Sequence, residues 1–83
     1  MMPTVYREKG YKFFFYSKEG TEPPHIHVRS GDGEAKFRLN PVELEPRACY
    51  GFNGRQLNSI EQIVHEKQAD LLKAWYEHFS SEA

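Results

Sequence analysis

The segment at residues 22–28, Glu-Pro-Pro-His-Ile-His-Val, constrains the fold more than any other part of the chain. Each proline fixes its own φ and disfavours helix in the residue before it, so the segment is predicted to start as stiff, extended backbone. From residue 25 onward, polar and apolar residues alternate with period two, which is typical of a half-buried strand. We expect Ile26 and Val28 to point into the core. Three polar side chains should point the other way: His25, His27 and Arg29.

A hairpin is predicted to follow, because residues 31–32, Gly-Asp, form a two-residue turn signal. With this loop, Ile26 faces Phe37 on the apolar side, and Arg29 faces Glu34 as a pair of opposite charges on the other side. Both faces are then chemically consistent, which supports the register. The same register sets two further pairs on the polar face, His25 with Arg38 and His27 with Lys36.

The N-terminal part of the chain predicts another hairpin. Residues 4–7 and 11–16 are rich in aromatic and β-branched residues, and the glycine between them can adopt the positive φ of a tight turn. Three consecutive phenylalanines at 13–15 place apolar rings on both faces of the second strand. Whether Phe14 and Tyr16 share the polar face of the histidine strand depends on a pairing that the sequence leaves open.

Residues 54–79 have the 3.6-residue periodicity of an amphipathic helix. Asn53 is placed as its N-cap, with Gln56 three residues later as in a capping box. A continuous helix of this length would run to about 39 Å, roughly twice the length of a six-residue strand. Gln68 also interrupts the apolar stripe. We therefore predict that the helix breaks near residues 66–68 and doubles back.

These elements predict one α+β domain over residues 1–83, with a β-rich part at 1–45 and a helical part at 53–80. The expected architecture is an antiparallel sheet of four or five strands, built from two hairpins, with the helical region packed on one face. The fifth strand would be a short edge strand at 42–45, before Pro46. The sequence assigns no structure to the connector at residues 47–52.

Composition narrows the class of protein. The net charge of −1 over 83 residues argues against a bulk electrostatic nucleic-acid binder. A single cysteine, Cys49, excludes an internal disulfide and a cysteine-based zinc cluster. No apolar run approaches the ~20 residues of a membrane span, and the start of the chain lacks the apolar run of a signal peptide. We expect a soluble, cytoplasmic protein with no membrane contact and no cofactor.

A set of short segments carries a resemblance to a known family: 2–5, 10–11, 13–17, 22–28, 33–37, 41–42 and 51–52, with Leu39, Trp75 and Phe79. The chain resembles bacterial domain-of-unknown-function family number four thousand one hundred and sixty, and the Pro-Pro-His-x-His segment is the most specific match. Arg38 departs from the tryptophan that is frequent in relatives. The resemblance implies an intracellular protein encoded beside a second small protein, as in toxin–antitoxin pairs, and it implies no agreed activity.

The polar face of the histidine strand is the candidate site. Aromatic rings among cations on an open sheet are used to bind RNA, because the rings stack on bases and Lys or Arg neutralises phosphate. We predict a binding component of a two-gene, toxin–antitoxin-like module, which contacts a small partner protein or RNA through this face; a homodimer is a further option. The predicted binding residues are Tyr16, His25, His27, Arg29, Lys36 and Arg38.

A metal-independent ribonuclease is one alternative, so whether the protein is an enzyme stays open. The catalytic residues would be His25 and His27: one would take the proton of the 2′-hydroxyl, and the other would protonate the leaving oxygen. Lys36 or Arg38 would stabilise the charge of the phosphorane.

A metal site is the second alternative, and an ordinary solvated sheet face is the third. Residues i and i+2 of a strand lie ~6.6 Å apart at Cα, so His25 and His27 could reach one ion. Zinc would need a third protein ligand, which Glu34 or Glu22 could provide. In every case both rings point away from the core, so the double substitution His25→Ala with His27→Ala is expected to leave the fold largely intact.

Overall fold

Five strands in chain order form an antiparallel sheet in the part of the chain that the computed structural model describes, residues 4–16 and 21–80. The strands are β1 (Thr4–Glu8), β2 (Tyr11–Phe14), β3 (His25–Ser30), β4 (Gly33–Leu39) and β5 (Val42–Leu44). A 3-10 turn, Pro46–Ala48, leads to the helices α1 (Gly54–Glu66) and α2 (Gln68–Ser80). The prediction of an α+β fold, with an antiparallel sheet and a helical region on one face, is confirmed.

The predicted register of the β3–β4 hairpin is confirmed along both strands, from the turn to the pair of His25 with Arg38. The pairing of β2 with β3 answers the question that the sequence left open. Phe14 lies opposite His27, so its ring is on the polar face of the sheet, while Phe13 points to the helices. β2 ends at Phe14, two residues earlier than predicted.

The hydrophobic core lies between the sheet and the two helices. Alternate positions of β3 and β4 point into it, as the period-two pattern predicted, and one stripe of each helix covers them. Its buried residues are Phe13, Phe15, Ile26, Val28, Ala35, Phe37, Leu39, Ile60, Ile63, Val64, Leu71 and Trp75.

The helical region turns at Lys67, between the end of α1 at Glu66 and the start of α2 at Gln68. Each helix has 13 residues, about 20 Å, which matches the length of a six-residue strand. Gln68, the residue that interrupts the apolar stripe, donates from Nε2 to the Leu39 carbonyl oxygen at 2.6 Å. Its amide therefore ties the start of α2 to the end of β4.

The connector at residues 47–52 lies against the turn of the β3–β4 hairpin. Tyr50 exchanges two backbone hydrogen bonds with Glu34, both of 2.9 Å, so it continues the sheet beside β4. Gly51 has a φ of +76°, and a Cβ added there would lie 2.6 Å from the Cα of Gly33. The two glycines therefore allow a backbone contact that no larger residue at position 51 can make.

The first testable prediction concerns this contact. Gly51→Ala should lower the free energy of unfolding by about 1–3 kcal/mol, because the new methyl group overpacks the contact and alanine is strained at positive φ. The control is Gly54→Ala at the start of α1, where an added Cβ meets nothing within 4 Å and the change should stay within about 0.5 kcal/mol. Urea unfolding measures both variants. Equal stability of the two would contradict the glycine contact.

Candidate functional site

The face of the sheet opposite the helices, called the outer face below, carries the candidate site. Alternate residues of β2, β3 and β4 point to it, and the structure brings together on it every residue that the sequence assigned to the site. Its side chains are Lys12, Phe14, Tyr16, His25, His27, Arg29, Glu34, Lys36 and Arg38.

The expectation that both histidines are exposed on this face is wrong. His25 is 1% exposed and His27 is 6% exposed, and the ring of His25 also contacts the core residue Trp75 of α2. For His27, the physical reason is the central phenylalanine of the triplet at residues 13–15. If Phe13 and Phe15 point inward, Phe14 must point outward, and a ring of that size is stable there only when neighbouring side chains cover it.

Aromatic rings enclose His27. Its imidazole stacks on the Phe14 ring with centroids 5.6 Å apart and planes at 25°. The Tyr16 ring meets the imidazole edge-on at 4.4 Å. These contacts are of the kind that stabilises buried aromatic clusters, so His27 belongs to a second, smaller core on the outer face.

His25 is held at the end of β3 where the Pro-Pro segment enters the sheet. Its ring lies 4.8 Å from the ring of Trp75 in α2, and its Nδ1 lies 3.0 Å from the Pro23 carbonyl oxygen. A carbonyl can only accept, so this hydrogen bond requires the proton on Nδ1. The neighbouring Pro24 carbonyl accepts the backbone N–H of Leu39 at 3.0 Å. The prolines thus place both strand and ring.

Glu34 is the centre of a polar network beside His27. Its Oε1 accepts from Arg29 through Nη2 at 2.7 Å and Nε at 3.2 Å, and its Oε2 accepts the Tyr16 hydroxyl at 3.1 Å. The same Oε2 lies 3.9 Å from His27 Nδ1. This single carboxylate therefore fixes the positions of a cation and a phenol on the outer face.

The network changes two pKa values. Burial raises the pKa of the Tyr16 hydroxyl above its ordinary value, and the hydrogen bond to Glu34 and the negative charge of Glu34 raise it further. Arg29 lowers that pKa by a smaller amount. The hydrogen bond to Glu34, followed by its charge, raises the pKa of the Arg29 guanidinium. Tyr16 therefore stays a neutral hydrogen-bond donor at physiological pH.

Among the other cations of the outer face, Lys12 Nζ lies 5.9 Å from the centroid of the Phe14 ring, whereas Lys36 and Arg38 have carboxylate partners. Lys36 Nζ lies 3.0 Å from Glu22 Oε1, and Arg38 pairs with Glu45. These four side chains line a cleft of about 430 Å³ together with His25, Pro23, Asn40 and Pro41. The cleft is therefore lined by two positive and two negative side chains.

Tyr50 is a residue of the outer face that sequence reasoning missed. Its backbone pairs directly with Glu34, so the two side chains project from the same face of the sheet. Tyr50 is 60% exposed. The sequence could not place it, because the connector at 47–52 has no alternating pattern and its pairing partner lies 16 positions away.

Glu34, the third ligand proposed for a metal, is bound by Arg29 and Tyr16. Within residues 4–16 and 21–80, no three His, Cys, Asp or Glu side chains are grouped as a metal site would need. In the same described part of the chain, neither helix has the length and apolar character needed to cross a membrane.

The fold and the outer face define a class of protein: a small α+β domain whose open antiparallel sheet has a doubly buried histidine strand at its centre. The chain belongs to the family described as "Domain of unknown function (DUF4160)", whose model matches residues 10–76. The family resemblance seen in the sequence is thereby confirmed, and the matched range contains every residue of the outer face. No curated protein and no solved structure matches the chain.

The second testable prediction replaces the expectation of a harmless histidine substitution. His25→Ala should lower the free energy of unfolding by about 2 kcal/mol or more, because it leaves a cavity beside Trp75 and removes the hydrogen bond to Pro23. His65, on the surface of α1, has a side chain that is 57% exposed and provides the control. His65→Ala should change stability by less than about 0.5 kcal/mol. Similar thermal unfolding of the two variants would contradict the burial of His25.

Proposed function

We propose that this protein is a binding protein whose outer face docks a partner protein. The observation that carries the proposal is the exposed Tyr50 beside the Glu34 network. Tyrosine and arginine are enriched among the residues that dominate binding energy at protein interfaces. Glu34 lies between Tyr50 and Arg29 in the sheet. Arg29 donates two hydrogen bonds to Glu34, which hold the guanidinium in place before a partner arrives and lower the entropy cost of binding.

The burial of the rings of the outer face supports a protein partner over RNA. Binding to single-stranded RNA uses exposed rings on which bases stack. On this face, Phe14 is 1% exposed and His27 is 6% exposed, so neither ring is open to a base. A surface of mixed charge that carries an exposed tyrosine is typical of protein interfaces.

Burial argues against the ribonuclease alternative. A general base must come within hydrogen-bond reach of the proton that it removes, and a general acid must reach the leaving oxygen. The rings of His25 and His27 are enclosed by Phe14, Tyr16 and Trp75. Both imidazoles therefore support the outer face from below, and the residues above them make the contacts with a partner.

The family resemblance supports the class of partner that we propose. Its members resemble one half of a two-gene, toxin–antitoxin-like module, so the small protein encoded beside this chain is the partner we propose. The role of this chain in such a pair would be recognition, with Tyr50 and Arg29 inserted into the surface of the partner.

The third testable prediction compares two tyrosines. Tyr50→Ala should weaken binding to the protein encoded by the adjacent gene at least tenfold, which is about 1.4 kcal/mol, because it removes the exposed ring of the proposed interface. Tyr76→Ala is the matched control, since Tyr76 is also exposed, at 58%, but lies on α2. Its substitution should change affinity less than twofold. Isothermal titration calorimetry measures both dissociation constants.

Two results would contradict this proposal. One is an equal loss of affinity in both tyrosine variants, which would move the interface away from the outer face. The other is saturable binding of single-stranded RNA by the wild-type protein that Tyr50→Ala abolishes, which would make RNA the ligand of the same surface.

A further inference from the structure

The cleft that Lys36 and Arg38 line has a geometry suited to one doubly charged anion. The two residues are at positions i and i+2 of β4, so both side chains project from the outer face, and their Cα atoms lie ~6.6 Å apart. Both line the cleft. An oxyanion seated between them can therefore contact both cations at the same time.

Another anion can replace the carboxylates that pair with Lys36 and Arg38. Glu22 belongs to the Pro-Pro segment and its side chain is 44% exposed, while the side chain of Arg38 is 53% exposed in its pair with Glu45. Exposed ion pairs contribute little to stability, because water screens them and two long side chains must be ordered. Glu43, the cross-strand neighbour of Arg38, is not among the residues that line the cleft.

The size of the cleft indicates what the anion would be attached to. A volume of about 430 Å³ is within the range of small-molecule sites and leaves room for an organic group beyond a bare phosphate. Pro23 and Pro41 contribute rigid apolar surfaces to its lining. These surfaces suit a ring or a short carbon chain.

We propose that this cleft binds a small phosphate monoester, with the phosphate bridging Lys36 and Arg38 in place of Glu22 and Glu45. A phosphate monoester is largely a dianion at neutral pH, so it matches two cations, whereas a carboxylate leaves one of them without a partner. Arginine presents a planar fork of N–H donors that fits phosphate oxygens in pairs. The site is separate from the docking surface proposed at Tyr50.

The experiment titrates inorganic phosphate and adenosine 5′-monophosphate into the labelled protein at constant ionic strength, set with sodium chloride. The backbone amide signals of Lys36 and Arg38 should shift saturably, with tighter binding for the nucleotide. Lys36→Gln with Arg38→Gln should weaken binding at least tenfold. The control, Arg55→Gln with Lys73→Gln, makes the same change in net charge on the helices and should leave the affinity unchanged.

A second pair of variants gives a change of opposite sign that damage to the fold cannot produce. Glu22→Gln with Glu45→Gln should tighten phosphate binding at least threefold, because it frees both cations, whereas Glu61→Gln with Glu77→Gln on the helices should leave the affinity unchanged. Tyr50→Ala should also leave the phosphate titration unchanged, so this proposal and partner docking can fail separately.

Three results would overturn the proposal. The first is the absence of saturable shifts beyond those caused by sodium chloride. The second is an equal effect of the cleft variants and their helix controls. The third is tighter binding of a single-stranded RNA hexamer without terminal phosphates than of the mononucleotide. Each phosphodiester of the hexamer carries one charge, so a site for a phosphate monoester would not prefer it.

Discussion

Four consecutive residues of β3, His25 to Val28, are buried, two on each face of the sheet. Ile26 and Val28 pack against the core below the helices, and His25 and His27 pack within the aromatic layer of the outer face. A strand covered on both sides is usually central to its sheet, and β3 is the middle strand of five. Residues of the helices cover one side of β3, and the aromatic residues of the outer face cover the other.

Few residues cover the outer face, because a chain of 83 residues provides helices for only one face of the sheet. Phe14 and Tyr16 come from β2 and the extended backbone after it, and Trp75 reaches His25 from α2. Imidazole suits this position, because it packs as a flat ring and still satisfies polar neighbours through its nitrogens. The Pro23 carbonyl accepts one of these nitrogen-bound protons. The Pro-Pro-His-x-His segment is thus explained by structure before any ligand is considered.

The burial of the two histidines changes what the outer face can do. Each imidazole holds neighbouring side chains in place. His27 lies under Tyr16 and beside Glu34, and Glu34 in turn orients Arg29. The exposed groups available to a partner are therefore Arg29 and Tyr50, with the cleft at Lys36 and Arg38 further along β4.

Much of the fold could be predicted from the sequence, because its local signals agree with one another. The turn at residues 31–32 and the alternation on both sides of it determine a register, and the length of the helical region against the sheet predicts a break. The contacts of residues 47–52 could not be predicted, because they depend on Gly33 and Glu34, which are distant in sequence. Gln68 was recognised as unusual, but its acceptor, the Leu39 carbonyl, is visible only in three dimensions.

The sequence indicated which residues of β3 and β4 share a face, but it did not indicate their exposure, and it missed Tyr50. Period-two alternation shows which residues share a face, so Lys36 and Arg38 were correctly grouped with the histidines. It does not show whether that face is open to water. The exposure of this face depended on the pairing of Phe14 with His27. The sequence does not determine this pairing, because β2 and β3 are short and a long segment joins them.

The burial of the histidine strand is tested most directly by the rate at which diethyl pyrocarbonate modifies each imidazole, followed by mass spectrometry of the intact folded protein and its peptides. His65 serves as the internal standard, because its side chain is exposed on α1. We predict that His65 reacts at the rate of a free imidazole, while His25 and His27 react at least tenfold more slowly until the protein is unfolded in urea. Modification of all three at the same rate in the folded protein would contradict the burial of β3 on both faces.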